Sequence, residues 1–234
     1  MEKKQSELCL EILRRFHRAG IMDDLILIGS WCVYFYKEYF SGAPYTDQAA
    51  LKTRDIDFLV DTPSKIKRAV NIPELLKDLG FVTIYRGNRG FIKLDHPDLI
   101  LEFLVTEKGK GTATPVPLSK LGLNAVALRF LTFLSKNTIK AKVEDFYVIL
   151  PHPANFALHK LIVFQRRIKE EKAIKDRNTA VEILKALINK GDAAVVRQVF
   201  DSVPQKWQKK IVKGLEETKE KALSDKLELA RRAV

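Results

Sequence analysis

The sequence predicts an α+β protein: a mixed β-sheet flanked by helices over residues 1–151, followed by a helical C-terminal domain over 152–234. Three observations predict it. Short apolar runs separated by Gly, Pro, Asn and Ser turns recur from Leu25 to Leu150, as strands do. From Pro153 almost to the end, apolar residues return at helical spacing instead. Two of the early runs also carry groups that a plain strand does not need: Gly29-Ser30 closes the first, and Asp55 and Asp57 sit inside the second.

The elements follow in order. Leu8, Ile12, Leu13 and Phe16 share one helical face over Ser6–Ala19, and Gly20 closes that helix. A strand over Leu25–Ile28 runs through Gly29-Ser30 into a helix over Ser30–Phe40. Ser41–Gln48 is turn-rich and reads as an exposed loop before the acidic strand, Thr53–Val60. Pro63–Gly80 is a helical region broken near Asn71-Ile72-Pro73. Phe81–Tyr85 and Phe91–Leu94, joined by Gly87-Asn88-Arg89-Gly90, predict a hairpin, and Leu99–Val105 another strand. Residues 106–118 read as a flexible loop that either closes over a substrate or simply connects elements. Further strands are expected at Leu128–Leu134, Ile139–Val143 and Tyr147–Leu150. Helices are expected at Asn155–Ile168, Lys172–Asn189, Asp192–Asp201 and from Gln205 to about Arg232.

The chemistry concentrates on the acidic strand. Successive strand side chains point to opposite faces, so Asp55 and Asp57 share one face, roughly 6.5–7 Å apart, while Ile56 and Phe58 face the other way. Carboxylates beside a core are costly unless something pairs with them, and a divalent cation would do so. Two such groups can each hold one Mg²⁺ or bridge two ions about 3.5–4 Å apart, as phosphoryl transfer needs. Gly29-Ser30 allows close approach of backbone N–H groups to phosphate, or is simply a turn and helix cap. Glu102, between Leu101 and Phe103, is either a third carboxylate at the same place or an edge-strand residue pointing to water. Asp98 has the same side parity but lies about 13 Å away along the strand. No Gly-Lys-Ser/Thr phosphate loop is present.

Composition narrows the rest. With 46% hydrophobic and 30% charged residues the chain has the makeup of a soluble globular protein, and no apolar run approaches the roughly 20 residues of a membrane span. The N-terminal residues lack a signal peptide's apolar core, and two cysteines, Cys9 and Cys32, make no disulfide framework, so a cytoplasmic location is expected. The net charge is +12, of which residues 152–234 hold +8, with 19 Lys/Arg against 11 Asp/Glu. That excess suits a polyanionic partner, or is solvated helix surface.

The order strand, Gly29-Ser30, helix, Asp55 and Asp57 on one strand and Glu102 on a later one resembles the nucleotidyltransferases of the DNA polymerase β superfamily. The run Thr53-Arg54-Asp55-Ile56-Asp57-Phe58 is similar to the T-x-D-I-D form of the bacterial AbiEii/MenT-like branch. Members of that branch often carry a helical second domain with a lysine near its start and a Lys-Asp pair further on. Lys160 and Lys175-Asp176 are similar in kind and order. The match makes Ser41–Lys52 an insertion between Ser30 and Asp55, and it has Thr179 where the K-D-x-x-D pattern ends in an acid.

The resemblance implies a polymerase β-like domain that moves a nucleoside monophosphate from an NTP, such as ATP, to an acceptor hydroxyl. It implies Asp55, Asp57 and Glu102 as ligands of two Mg²⁺ ions, with Mn²⁺ an alternative, and Glu102 as base or ligand. Gly29 and Ser30 would hold the outer phosphates, and Lys160 and Lys175 would neutralise triphosphate charge or, read singly, are solvated helix lysines. His159 reads as a packing or surface histidine. The acceptor stays open between tRNA or another nucleic acid, a protein, and a small molecule such as an aminoglycoside. The alternative is a non-catalytic nucleic-acid- or partner-binding protein on the same fold, including a toxin-antitoxin component.

Overall fold

The computed structural model describes residues 3–45, 53–109 and 114–229. The chain divides into two compact units, Met1–Phe35 with Ala50–Pro151, and Tyr36–Ala49 with His152–Val234.

The first unit begins with α1 (Lys3–Arg18), β1 (Ile26–Ile28) and the five-residue α2 (Trp31–Phe35). It continues through β2 (Asp55–Leu59), α3 (Ile72–Leu75), the hairpin β3 (Val82–Arg86) and β4 (Phe91–Asp95), and β5 (Ile100–Thr106). Last come β6 (Val116–Leu118), β7 (Leu123–Leu128), α4 (Thr132–Ser135), β8 (Thr138–Val143) and β9 (Phe146–Pro151). The sheet runs β3-β4-β5-β2-β1-β9-β8, with β7 joined to β5 and β6 to β7. It is mixed, as the sequence predicts: β1 pairs with β9 and β2 with β5 in parallel, while β1 and β2 are antiparallel.

One face of this sheet is a core layer. Ile12, Leu13 and Phe16 of α1 are fully buried, and the Phe16 ring meets Phe58 of β2 edge-on at 5.3 Å. Phe58 stacks in turn on Phe103 of β5, 5.6 Å away. Each such aromatic contributes about 1.5–3 kcal/mol through the apolar area it removes from water. Ile56, Phe58, Leu101 and Phe103 fill this layer, which forces the intervening Asp55, Asp57 and Glu102 to the other side.

Several elements differ from the sequence reading. The helix expected over Ser30–Phe40 stops at Phe35 and gives way to turns. The segment expected as a strand over Leu128–Leu134 is the end of β7, a left-handed turn at Phe130 with φ 69, and α4. Buried Leu131, Phe133 and Leu134 satisfy one helical turn as well as a strand, and the reversal at Phe130 decides between them. The expected loop over 106–118 contains β6 at its end, and residues 110–113 lie outside the described residues, as do 46–52 of the expected insertion. The Pro63–Gly80 region keeps only short helical turns, with Asn71 capping α3 by accepting the Glu74 N–H at 3.3 Å.

The second unit is helical after residue 152: α5 (Pro153–Val163), α6 (Glu170–Asn189), α7 (Ala193–Asp201), α8 (Gln205–Glu217) and α9 (Lys221–Leu227). The single long helix expected from Gln205 is thus two. Lys219 at φ 62 breaks it, and Thr218 Oγ1 donates to the Leu215 carbonyl at 2.6 Å. His152 caps α5 through Nδ1, which accepts the Ala154 N–H at 3.2 Å just ahead of the helix-starting Pro153. Tyr36 of this unit packs edge-on against Phe156 at 5.7 Å. Among the described residues no helix is long and apolar enough to cross a membrane.

Candidate functional site

Strand register assembles the acidic face of the first unit. In the antiparallel β1–β2 pair Ile28 lies opposite Asp57, and in the parallel β2–β5 pair Asp57 lies opposite Glu102 and Asp55 opposite Ile100. Register partners share a face, so Asp55, Asp57 and Glu102 stand on one side of the sheet, with Asp57 and Glu102 on strands about 4.8 Å apart. All three are half-buried, against the full burial of Ile56, Phe58 and Leu101 between them.

Gly29 meets this face from the end of β1. Its φ of +76 belongs to the left-handed region, and a Cβ built on it would stand 2.5 Å from Asp57 Oδ2. Only glycine both adopts that backbone and leaves the carboxylate its room. Ser30 follows, and its carbonyl accepts the Val33 N–H at 3.2 Å as α2 begins.

The same face holds two charged residues that the sequence reading did not single out. The β4–β5 register sets Asp95 opposite Ile100 and Leu94 opposite Leu101, so Lys93 comes next in line with Glu102. The Lys93 ammonium donates to Glu102 Oε1 in an ion pair whose side chains are 27% and 20% exposed. Asp95 falls in the row of Ile100 and Asp55. The signal for both was the parity of Phe91–Asp95, whose odd positions continue the Asp55, Asp57 and Glu102 face once the hairpin is docked on β5.

The donor set suits a hard divalent cation, since it consists of carboxylate oxygens on one face with a cradle at Gly29 that a Cβ would fill. Among the described residues no group of three or more His, Cys, Asp or Glu is gathered closely enough to hold a metal ion, and Glu102 is engaged by Lys93.

Lys160 and Lys175 lie in the second unit. Lys160, on α5, is buried, and its ammonium donates to Asp176 Oδ1, while Arg167 Nε donates to Asp176 Oδ2 at 2.7 Å. Burial alone would raise the Asp176 pKa, but the charges of Lys160 and Arg167 outweigh it and hold the carboxyl below its usual range. His159 is buried too. Desolvation, with Lys160 adding to it, pushes its pKa down to about 3, so it is a neutral packing residue. Lys175 is half-buried on α6, one turn before Thr179, whose hydroxyl donates back to the Lys175 carbonyl at 2.8 Å. A buried Thr179 in that role accounts for the missing acid of the K-D-x-x-D pattern.

A family model described as "Nucleotidyltransferase" matches residues 7–203. No curated protein matches the chain. Among solved structures, an antigenic nucleotidyltransferase-like protein from Paracoccidioides brasiliensis superposes with a TM-score of 0.52 at 13% identity, covering 97% of this chain and 94% of its own. That is a likeness of fold. The solution structure of the antibiotic-resistance factor ANT(2'')-Ia gives a TM-score of 0.44 at 14% identity, over 83% of this chain and 96% of its own.

Proposed function

Because the chain belongs to this nucleotidyltransferase family, we propose that it transfers a nucleoside monophosphate from an NTP to an acceptor hydroxyl, with pyrophosphate as the other product. The acceptor oxygen bonds to the α-phosphorus, the bond from that phosphorus to the pyrophosphate oxygen breaks, and the hydroxyl proton leaves to a carboxylate or water. The observation that carries the reading is the register of Asp57 with Glu102 and with the end of β1 at Gly29, which puts three carboxylates and a close-approach backbone on one face.

In this reading Asp55 and Asp57 hold two Mg²⁺ ions, Glu102 completes the set as base or ligand, and Gly29 and Ser30 receive the outer phosphates. The bound cations would neutralise charge on the phosphates and orient the α-phosphorus. The chain's own task is positioning. The sheet fixes Asp55 and Asp57 from behind through buried Ile56 and Phe58, and the Gly29 backbone keeps the space beside Asp57 open. For the helical unit, the resemblance gives Lys160 and Lys175 a phosphate-neutralising role. Within the family, the Thr53–Phe58 run supports the AbiEii/MenT-like branch, and the net charge of +12 supports a polyanionic acceptor such as tRNA. Two unpaired, buried cysteines suit a reducing cytoplasm.

Incubation with α-³²P-labelled NTPs, Mg²⁺ and a panel of acceptors, including bulk tRNA, tests the reading. Label should move to one acceptor class only with the divalent cation present, and Asp57→Ala should abolish transfer. Undiminished transfer by Asp57→Ala, or no binding of Mg-NTP by the wild type, would sink it.

A further inference from the structure

Lys93 is the cation that the register places in the acidic face. Asp55, Asp57, Asp95 and Glu102 bring four carboxylates to that face of β4, β5 and β2, and Lys93 is in line with Glu102 and Asp57 across the three strands. Its ammonium already occupies Glu102 Oε1, in a pair about three-quarters buried. A half-buried carboxylate among others of its kind is held ionised only at a cost, which a neighbouring ammonium offsets. Lysine suits a contact that must open. Its ammonium is a point charge on a flexible four-carbon stem, without the two-pronged geometry by which arginine grips a carboxylate.

We propose that Lys93 is a positioning residue, the resident counter-cation of the acidic face, which competes with a divalent cation for Glu102. This rests on the reading of that face as a metal-dependent site. Glu102 is then held by Lys93 until a divalent cation arrives, and Asp55 and Asp57 are the carboxylates that a first ion meets without displacing the ammonium. Glu102 joins the ion as the Lys93 contact opens, which frees the ammonium for the phosphate side of the site.

Titration of the full chain with Mn²⁺ alone, followed by the EPR signal of the free aquo ion and without nucleotide, tests this. Lys93→Met, which removes the charge and keeps the stem, should bind Mn²⁺ about tenfold more tightly, as loss of one competing charge at a partly buried carboxylate implies. Lys93→Arg should bind no more tightly than the wild type. Adding Glu102→Gln to Lys93→Met should erase the gain, which a merely structural lysine would not do. If Lys93→Met does not fold, Lys93→Gln, with a neutral donor at the same place, is measured in its stead. Wild-type binding that is unchanged or weaker in the neutral variant overturns the role of Lys93 alone. Absence of Mn²⁺ binding in both the wild type and the neutral variant overturns it together with the metal reading.

Discussion

Gly29 and Asp57 lie so close that a single added methyl group at Gly29 would stand 2.5 Å from the Asp57 carboxylate. Gly29→Ala therefore does two things at once. It strains a backbone held at φ +76, costing about 1–2 kcal/mol, and it pushes the Asp57 oxygen aside. On the proposed function, nucleotide transfer should fall on the order of 100-fold, the scale of a 1 Å displacement of a positioned group, while thermal unfolding shows only a modest loss. Equal and small losses in both measurements would mean that Asp57 is not held for chemistry.

The buried Lys160–Asp176 pair makes a separate prediction about stability. Asp176→Ala leaves the Lys160 ammonium buried without its carboxylate and should cost about 3–5 kcal/mol in urea unfolding, since a lone buried charge is far costlier than a pair. Replacing both together, Lys160→Met with Asp176→Leu, should recover most of that loss. A double variant as unstable as Asp176→Ala would contradict it.

His159 sets a pH dependence. Its folded pKa of about 3 lies below the ordinary histidine value of 6.5, so the unfolded chain takes up a proton that the folded chain refuses. The stability from neutral burial is fully present above pH 6.5 and is lost progressively as the pH falls from there towards 3. His152, whose pKa burial also lowers, acts in the same direction. His159→Leu should lose less melting temperature than the wild type between pH 7 and pH 5. Parallel losses in the two proteins would argue that His159 is not the group responsible.

Gly214 in α8 marks a helix crossing. A Cβ there would overlap the Leu161 carbonyl oxygen of α5 and stand 2.7 Å from Gln165 Nε2, whose amide donates to the Lys210 carbonyl at 2.8 Å. Gly214→Ala, normally favourable in a helix, should instead destabilise by about 1–3 kcal/mol because the backbone of α5 cannot yield. A rise in melting temperature would show that the two helices do not approach so closely.

The fold class and half of the acidic face were legible in the sequence, because they rest on local periodicity. Alternation along Asp55-Ile56-Asp57-Phe58 separates two carboxylates from two core residues whatever the strand pairs with. The helical pattern from Pro153 onward likewise needs only its own apolar spacing. Turn chemistry was less legible. Neither the reversal at Phe130 nor the break at Lys219 carries a glycine or proline to announce it, and both were read through as continuous elements.

What the sequence could not contain is the register between strands far apart in the chain. Glu102 lies 45 residues from Asp57, and its place beside it depends on which strand β5 pairs with and at what offset; a slip of one residue would have turned it into the core. The same pairing brings Lys93 to Glu102, as helix packing brings Lys160 to Asp176, so that lysines resembling solvated charges are partners of specific carboxylates. Local periodicity settles which face a residue takes, because it follows from backbone geometry. Non-local packing settles which charges meet on that face, because only the folded chain fixes their distance.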